Sequence, residues 1–324
     1  MTPLRFGCLG AARIAPKALI EPVSRRDDVI VAMVAARDLD KAKAFASEHN
    51  IEHANADYQA LVRSDLVDAV YCPLPPSAHL ELVCLALENG KHVLCEKPFA
   101  MNALEAREMA EAARQNGRVL MEAFHYRYHP AFEFILEVVR AGKIGQLREI
   151  HGVFDAEIPY REGELRHVSE LGGGALMDLG CYPLHMVRTL VGEEPAEIIA
   201  TAKISSTGVD ETVKARLSFP SDVEALVETT MAMGAERRSF IYCKGNDGEV
   251  HFSGCVGPQF GHEIRLQSGG KETVHTFDGP GTYDHQLTAF IEAVENDGPV
   301  LTGPDDAIAN MDAIDRIYRL AGVK

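Results

Sequence analysis

The stretch LRFGCLGAARIA, residues 4–15, decides the fold class of this 324-residue chain. Its first half is a short apolar run typical of a buried strand, and its second half begins a helical stretch. A turn from strand to helix presents backbone N–H groups at the helix N-terminus, where a pyrophosphate can bind. The dinucleotide pattern G-x-G-x-x-G/A falls on Gly10, Ala12 and Ala15, so alanine replaces the middle glycine. The position of the turn favours a dinucleotide site over a purely structural turn.

Downstream of this turn, apolar strands and helices alternate up to about residue 123. The strand-like runs are VIVAMVAAR (29–37), VDAVYCPLP (67–75), HVLCEKP (92–98) and VLMEAF (119–124). Helical patterns separate them: 39–50, which Asp38 is expected to cap, a short helix within 53–64, and 103–117, which Gly117 ends. Strict alternation predicts a parallel, doubly wound sheet with helices on both faces. We therefore expect a dinucleotide-binding Rossmann domain over residues 1–123.

The pattern changes after residue 123. A helix is predicted at 130–145, a glycine-rich helical region at 172–191, and extended segments between turn signals at 196–277. These segments predict a mostly antiparallel sheet. Two helices, at 283–297 and 304–320, close the chain. The fold class is therefore α/β, with a second α/β domain over residues 124–324 whose C-terminal helix we expect to pack back on the Rossmann domain.

The composition limits the classes of function. The chain carries 32 basic and 48 acidic side chains, and this net charge of −16 disfavours binding to nucleic acid or to an anionic membrane. No apolar run approaches the roughly 20 residues of a membrane helix, and the start of the sequence has no signal-peptide pattern. The seven cysteines are scattered without a CxxC pair, which indicates free thiols and a cytoplasmic protein.

The end of the second strand indicates which dinucleotide binds. An NAD site usually has an acidic residue here for the ribose 2′-hydroxyl, whereas an arginine suits the 2′-phosphate of NADP. Arg37 directly follows the strand, and Asp38 comes one position later, where it can cap the next helix. NADP is therefore the predicted cofactor, with NAD as the alternative. The other interpretation of Arg37 is a solvated surface charge.

The segment CEKP places a lysine at the end of an apolar strand. Open α/β sheets bind ligands at the carboxyl ends of their strands, and Lys97 is predicted to lie there. An ammonium at this edge can stabilise the negative charge that develops on a substrate oxygen during hydride transfer. Pro98 restricts Lys97 to extended conformations. From the residues alone, Lys97 is either catalytic or a solvated charge at a strand end.

A second dense segment is GGGALMDLGCYPLH, residues 172–185. Asp178 and Tyr182 are four residues apart, so on a helix they share one face. Pro183 cannot continue a regular helix, and we expect the helix to kink or restart near Tyr182. A phenol beside an ammonium such as that of Lys97 can exchange a proton with a substrate oxygen. His185 is either a second proton carrier or, in the interpretation we prefer, a packed core histidine.

The segment FHYRYHP, residues 124–130, is rich in polar aromatic side chains. Tyr126, Arg127 and His129 can bind cofactor or substrate, or form a hydrogen-bonded junction between the domains. His125 and His129 suggest a metal site, but no carboxylate or cysteine accompanies them at ligand spacing. We therefore predict that the protein holds no metal.

Together, these motifs resemble the Gfo/Idh/MocA family of oxidoreductases (glucose–fructose oxidoreductase, inositol dehydrogenase and MocA). The resemblance covers nearly the full chain and depends on GAARIA, PLPPSAH, CEKPFA, EAFHYRYHP and GGGALMDLGCYP, in this order and spacing. It implies a Rossmann domain followed by a substrate-binding α/β domain whose open, mainly antiparallel sheet often forms a dimer interface. A homodimer or homotetramer is therefore expected.

The resemblance also implies catalytic residues. The lysine of the E-K-P triplet is catalytic in the family, and here it is Lys97. Many relatives carry D-x-x-x-H with the histidine as proton carrier, whereas this chain has Tyr182 at the fourth position after Asp178. This is similar to the branch that contains dimeric dihydrodiol dehydrogenase and NADP-linked xylose dehydrogenase, in which the tyrosine is the acid/base. Asp178 then supports catalysis, and His185 has no inherited role.

Binding residues follow from the same resemblance and from position. The cofactor set is Gly10, Ala11, Ala12, Arg13, Ile14, Arg37, Pro73, Leu74, Pro75, His79, Glu96, Lys97 and Arg127. The substrate set is Lys97, Tyr126, Tyr160, Asp178 and Tyr182, and further candidates for contact with an anionic or polyhydroxylated ligand are Arg161 and Arg166.

The resulting hypothesis is an NADP-preferring dehydrogenase or reductase. It transfers a hydride between the nicotinamide and a secondary alcohol or ketone of a sugar, a cyclic polyol or a trans-dihydrodiol. One alternative is a glycosidase of the same family that retains its NAD and oxidises its substrate only transiently. The other alternative is a sensor that binds dinucleotide without catalysis.

Overall fold

The computed structural model describes residues 2–296 and 298–323. The chain forms two compact units, Met1–His125 with Tyr283–Ile308, and Tyr126–Thr282 with Ala309–Lys324. The division of labour between a dinucleotide-binding domain over 1–123 and a substrate-binding and dimerisation domain over 124–324 stays a prediction. Within the described ranges, each helix is too short or too polar to cross a membrane.

The first unit is built on a six-stranded parallel sheet in the order β3-β2-β1-β4-β5-β6. The order reverses between β1 and β4, and such a switch point is where open α/β sheets bind ligands, at the carboxyl ends of the strands. The strands are β1 (Leu4–Leu9), β2 (Val29–Ala35), β3 (His53–Asn55), β4 (Ala69–Cys72), β5 (His92–Cys95) and β6 (Leu120–Glu122).

Helices connect these strands, as the alternating pattern predicts. A π-helical turn at Pro16–Ile20 continues into α1 (Glu21–Val23), and α2 (Leu39–Glu48), α3 (Tyr58–Val62), α4 (His79–Glu88) and α5 (Ala103–Asn116) follow. A 3-10 turn at Pro76–Ala78 precedes α4. Gly117, at φ 58°, ends α5 in the left-handed conformation that the sequence predicts.

The second unit is built on an eight-stranded sheet in the order β14-β13-β12-β11-β7-β10-β9-β8. Only β7 and β10 pair in parallel among its described strands, and the other neighbours are antiparallel. The strands are β7 (Leu147–Asp155), β8 (Glu197–Ile204), β9 (Asp210–Ser218), β10 (Glu224–Thr230), β11 (Arg238–Gly245), β12 (Gly248–Ser253), β13 (Glu263–Ser268) and β14 (Lys271–His275). The predicted α/β fold class is therefore confirmed.

The helices of the chain's second half are α6 (Pro130–Arg140), α7 (Cys181–Val191), α8 (Thr282–Asn296) and α9 (Pro304–Leu320). A π-helical segment, Leu176–Gly180, leads into α7. This segment packs on the second sheet so closely that a Cβ on Gly180 would lie 2.8 Å from Cγ2 of Thr229 in β10. The sequence therefore needs glycine here to let α7 lie against the sheet.

Two local predictions meet different outcomes. The helix does change type just before Pro183, from π to α at Cys181, so the predicted interruption near Tyr182 is confirmed. The helix predicted within 53–64 is partly wrong, because its first residues form β3 and only Tyr58–Val62 is helical. Asp297, the last residue of another predicted helix, lies outside the described residues.

Candidate active site

The turn after β1 has the backbone geometry that a dinucleotide site requires. Gly10 adopts φ 106°, a left-handed conformation, and its N–H donates to the carbonyl of Ala35 over 2.7 Å. A Cβ on Gly10 would lie 3.1 Å from Cδ2 of Leu74, so this turn closely approaches the loop after β4. Ala11, Ala12 and Ile14 are half-buried and Arg13 is exposed. A left-handed glycine directly after β1, in the turn that leads to the helical residues from Pro16 onward, fits a bound pyrophosphate at the switch point.

Two residues shortly after the end of β2 have different roles: an arginine is exposed, and an aspartate caps the next helix. Arg37 is exposed. The carboxylate of Asp38 accepts hydrogen bonds from the N–H groups of Asp40 (2.9 Å) and Lys41 (3.2 Å). The predicted cap of α2 is thus confirmed, and these bonds hold the Asp38 carboxylate on the helix N-terminus.

The loop from Pro73 to Pro75 is half-buried at the same sheet edge, and His79, at the start of α4, bonds to this loop. Its side chain is fully buried. The ring nitrogens lie 3.0 Å from the carbonyl oxygen of Phe99 and 2.8 Å from that of Leu74. Burial lowers the pKa of this imidazole. His79 therefore connects two loops, and its predicted contact with the cofactor stays a prediction.

Lys97 is the second residue after β5 and lies at the carboxyl edge where the sequence predicts it. It is half-buried, and the peptide bond between Lys97 and Pro98 is cis. The Lys97 N–H donates to Oε2 of Glu96 over 3.2 Å. The other oxygen of Glu96 accepts a hydrogen bond from the Tyr71 hydroxyl over 2.7 Å. Glu96 lies between β5 and Lys97, and its carboxylate holds the Lys97 backbone through these two hydrogen bonds.

Two tyrosines near Glu96 were not identified from the sequence. Tyr71 and Tyr283 are largely buried, and burial followed by the negative charge of Glu96 raises the pKa of both phenols. Both therefore stay protonated at neutral pH. Tyr71 lies in the apolar run of β4, and the partner of its hydroxyl, Glu96, follows the neighbouring strand β5. The local sequence does not show this pairing of β4 with β5.

The second unit holds Asp178 and Tyr182 on one helical run. Asp178 lies in the π-helical segment, and Tyr182 lies in the first turn of α7. The Tyr182 side chain packs among aromatic rings, with centroid distances of 5.7 Å to Phe154 and 6.1 Å to Tyr126. Tyr182 retains 5% of its surface exposed. Single-turn π-helices often mark functional sites, and here one carries a candidate catalytic aspartate.

Asp178 forms an ion pair with an arginine from the preceding loop. Nε of Arg166 donates to Oδ2 of Asp178 over 2.6 Å, and Nη1 donates to Oε1 of Glu164 over 2.9 Å. The coulombic interaction with Asp178 raises the pKa of Arg166 further above its usual value. From its sequence context, Arg166 was only a candidate ligand contact, and its pairing with Asp178 was not predicted.

Tyr126 and Arg127 are both buried and have partners within the second unit. Tyr126 is fully buried, with its hydroxyl 2.5 Å from Nδ1 of His185, which is also fully buried. The guanidinium of Arg127 forms an ion pair with Glu133 and lies 5.6 Å from the ring centre of Phe132. The predicted contacts of Tyr126 with substrate and of Arg127 with cofactor stay predictions. His185 has the core position that we preferred.

The remaining candidates differ in exposure. Tyr160 is 65% exposed, and its ring meets that of His167 edge-on at 5.6 Å. His129 is buried and caps α6 by accepting from the N–H of Ala131 over 3.2 Å. Tyr160 therefore remains accessible to a ligand, whereas His129 has a structural contact.

A buried cluster in the first unit has the donor types of a metal site. One ligand atom each from Cys72, His79 and Cys95 lie within 4.8 Å of one another. However, both His79 nitrogens face carbonyl oxygens. Burial also raises the pKa of the Cys95 thiol well above its usual value, and metals bind the thiolate. These contacts favour a packed cluster, and the absence of a metal stays a prediction.

Comparison with known proteins defines the class. Residues 4–124 match the model of an oxidoreductase family with an NAD-binding Rossmann fold. Residues 132–251 match the GFO/IDH/MocA C-terminal domain. The protein is therefore an NAD(P)-dependent oxidoreductase with a dinucleotide-binding Rossmann sheet. It belongs to the Gfo/Idh/MocA family.

Three relatives show the extent of the similarity. The chain is 32% identical to an NADP⁺-dependent D-xylose 1-dehydrogenase of Haloferax volcanii over 320 residues, 98% of this chain and 97% of that protein. It is 39% identical to a trans-1,2-dihydrobenzene-1,2-diol dehydrogenase of Xenopus laevis over 212 residues, 65% of this chain and 64% of that one. An aldose–aldose oxidoreductase from Caulobacter crescentus, solved with glycerol, superimposes with a TM-score of 0.91 at 25% identity, covering 99% and 98% of the two chains.

Proposed function

We propose that this protein is an NADP-preferring dehydrogenase or reductase for a secondary alcohol or ketone of a sugar, a cyclic polyol or a trans-dihydrodiol. The observation that carries the proposal is the position of Lys97, half-buried two residues after the end of β5 at the carboxyl edge of the cofactor-binding sheet. Ligands of open α/β sheets bind at this edge. Negative charge develops on the substrate oxygen during hydride transfer, and a lysine at this edge can stabilise it.

The preference for NADP is supported by the residues after β2. Asp38 uses its carboxylate to cap α2, so the acidic group typical of an NAD site has another partner. Arg37 is exposed beside it and suits a 2′-phosphate. The similar xylose dehydrogenase is an NADP⁺ enzyme. NAD is the alternative cofactor.

The cofactor contacts are proposed on three loops of the first unit. The turn of Gly10, Ala11, Ala12, Arg13 and Ile14 binds the pyrophosphate. Pro73, Leu74 and Pro75, together with Glu96 and Lys97, flank the remainder of the dinucleotide. His79 supports these loops from below through its contacts with Leu74 and Phe99.

The catalytic roles are assigned to Lys97, Tyr182 and Asp178. When bound, the nicotinamide supplies or accepts the hydride. Lys97 donates a hydrogen bond to the substrate oxygen and stabilises its developing negative charge. Tyr182 gives a proton to that oxygen in reduction and takes it in oxidation. Asp178 supports substrate binding from one helical turn away, and Tyr160 is an accessible candidate for a further contact.

The first experiment is an activity assay with purified protein. NADP⁺ is supplied with D-xylose, other aldoses, cyclic polyols and a trans-dihydrodiol, and reduced nicotinamide is followed by absorbance. NADPH formation with one of these classes supports the proposal. Tight NADPH binding without turnover on any of them would instead favour the non-catalytic sensor.

The retained-cofactor glycosidase is separable in the same assay. It would release sugar from an aryl glycoside with no net change in nicotinamide absorbance. Tyr182 stands where the histidine of the D-x-x-x-H motif would be expected, which favours the dehydrogenase.

Assembly and compartment are also proposals. We expect a homodimer or homotetramer, with the second sheet as the interface. One face of this sheet carries aromatic rings in contact, with His151 and Phe240 at 5.2 Å and Phe240 and His251 at 5.3 Å. The seven cysteines are present as thiols and not as disulfides in the described residues, which suits the reducing cytoplasm. Size-exclusion chromatography with light scattering tests the oligomeric state.

A further inference from the structure

The glycine triplet Gly172–Gly174 fixes the backbone of the loop that precedes it. The N–H of Gly173 donates to the carbonyl of Val168 over 2.9 Å, and that of Gly174 donates to the carbonyl of Arg166 over 3.0 Å. A Cβ on Gly173 would lie 2.7 Å from the Arg166 carbonyl oxygen. A residue larger than glycine would push the triplet away from the loop segment at 166–168. The triplet therefore positions Arg166 relative to the π-helical segment.

The side chain of Arg166 then reaches Asp178 in that segment. Its Nε bonds Oδ2 of Asp178 at 2.6 Å and its Nη1 bonds Glu164 at 2.9 Å. The Asp178 and Glu164 side chains are only 16% and 13% exposed, whereas Arg166 is 40% exposed. A carboxylate with so little contact with water needs such a partner to stay charged.

This pairing determines what Asp178 can do chemically. The facing guanidinium favours the ionised carboxylate, and an ionised carboxylate only accepts hydrogen bonds. Asp178 is therefore suited to accept a hydrogen bond from a substrate hydroxyl. The proton exchange at the reacting oxygen is left to Tyr182.

The spacing of Asp178 and Tyr182 suggests which substrate hydroxyl donates the hydrogen bond to Asp178. The two residues are four positions apart on one helical run that changes from π to α at Cys181, so we expect their side chains to lie on the same side of it. Two such groups can engage two oxygens on adjacent carbons, the phenol binding the reacting oxygen and the carboxylate binding its neighbour. D-Xylose and trans-1,2-diols, which the similar enzymes are named for, both carry hydroxyls on adjacent carbons.

We propose that Arg166 is a positioning residue that keeps Asp178 ionised and oriented toward the hydroxyl beside the reacting carbon. The substrate class is then vicinal diols and the corresponding α-hydroxy ketones. This inference rests on the proposed function for the contact of Asp178 and Tyr182 with substrate. The pairing of Arg166 with Asp178 can be tested without substrate or cofactor.

The first test is a double-mutant cycle on thermal unfolding of the full chain, with Arg166→Gln, Asp178→Asn and the double variant. We expect a favourable coupling at neutral pH: the double variant loses less melting temperature than the sum of the two single variants. The coupling should weaken as the pH falls below about 4, the ordinary pKa of an aspartate, and disappear only below the lower pKa of the paired carboxyl. Additive losses at neutral pH would overturn the pairing.

The second test is the pH profile of kcat/KM on the best diol substrate. An opposite charge lowers a carboxyl pKa by about 1–3 units, so in Arg166→Gln the acid limb should move to higher pH by about that amount. KM should rise more than kcat falls, and Arg166→Lys should restore part of both. The matched control is Arg148→Gln, which removes a guanidinium bonded to Gln146 and Asn246 at the start of β7 and should leave the profile unchanged.

The third test compares the diol with the analogue that lacks the neighbouring hydroxyl. The wild-type protein should prefer the diol by about 100-fold or more, since a site built to bond a hydroxyl rejects its absence, and Arg166→Gln should reduce this ratio. If the wild type is active and Arg166→Gln has the same diol preference and the same acid limb of the pH profile as the wild type, the inference is overturned. The proposed function is unaffected by this result. Inactivity of the wild type on all diols, with coupling intact in the cycle, overturns the function and the substrate class but not the pairing.

Discussion

The hydroxyl of Tyr126 lies 2.5 Å from Nδ1 of His185, and both side chains are fully buried. The Tyr126 ring in turn packs on that of Tyr182, at 6.1 Å between centroids. His185 and Tyr182 are three residues apart on α7, so this buried hydrogen bond connects the 3-10 turn His125–Tyr128 to the helix that carries the proposed acid/base. It is a structural support for Tyr182.

Tyr126→Phe should destabilise the protein by about 1–3 kcal/mol, because it leaves a buried imidazole nitrogen without its partner while the ring packing is kept. The measurement is the free energy of unfolding by denaturant. Tyr58→Phe, at a half-buried position in α3, serves as the control and should change stability by less than about 0.5 kcal/mol. Equal effects of the two substitutions would show that the hydrogen bond contributes nothing.

Lys97→Met and Tyr182→Phe should each remove most of the turnover and leave cofactor binding intact. The first removes the positive charge beside the substrate oxygen, and the second removes the exchangeable proton. Steady-state kinetics measure kcat, and an NADPH fluorescence titration measures binding. Lys143→Met, which removes a surface ammonium paired with Glu137, should behave as the wild type. Full activity in either variant would exclude the role assigned to that residue.

Arg37→Ala should weaken NADPH binding by about tenfold or more and leave NADH binding nearly unchanged, because charge-assisted bonds to a phosphate contribute roughly 1.5–3 kcal/mol. Asp38→Asn is the contrasting variant. Its amide oxygen can still cap α2, so we expect the preference between the two cofactors to persist. If Asp38→Asn abolished NADH binding and Arg37→Ala had no effect, the ribose contact would belong to Asp38 and the cofactor would be NAD.

The sequence was sufficient for the parallel sheet because its strands are apolar on both faces and its helices have clear ends. It failed at β3, whose residues His53, Ala54 and Asn55 have low strand propensity. Their extended conformation comes from pairing with β2, where Met33 lies opposite His53. Such an edge strand is determined by a neighbour 20 residues away and not by its own pattern.

At the site, local motifs predicted individual residues but not their partners. Asp178 and Tyr182 are neighbours on one helix, and spacing alone was enough to group them. The Tyr126–His185 contact joins residues 59 positions apart, and the Arg166–Asp178 pair depends on a loop folded by the glycine triplet. Neither contact has a periodic signal, because each is created by tertiary packing.

His92 should make stability fall as the pH decreases. Burial, then the charge of Arg118, lowers the pKa of His92 from 6.5 to about 4, and its Nδ1 accepts a hydrogen bond from the N–H of Val119 over 3.0 Å. Between these two pH values the unfolded chain binds a proton that the folded chain does not, so unfolding is favoured as pH falls. His92→Asn keeps a hydrogen-bond acceptor that does not titrate. It should therefore reduce the slope of melting temperature against pH between pH 6.5 and about 4. An unchanged slope would contradict this account.

Gly174→Ala should be among the most damaging single substitutions in the second unit. Gly174 adopts φ 127°, and a Cβ there would lie 2.0 Å from Oδ1 of Asp210 and 2.9 Å from the Tyr318 hydroxyl. Asp210 is buried and accepts hydrogen bonds from the Tyr318 hydroxyl (2.8 Å) and the Leu176 N–H (2.7 Å), so the methyl group would break the cap of the π-helical segment. We expect a loss of roughly 3–5 kcal/mol in the free energy of unfolding. Gly208→Ala separates clash from backbone strain, because Gly208 has φ 86° but no atom within 4 Å of the added Cβ among the described residues, and it should cost only about 1 kcal/mol.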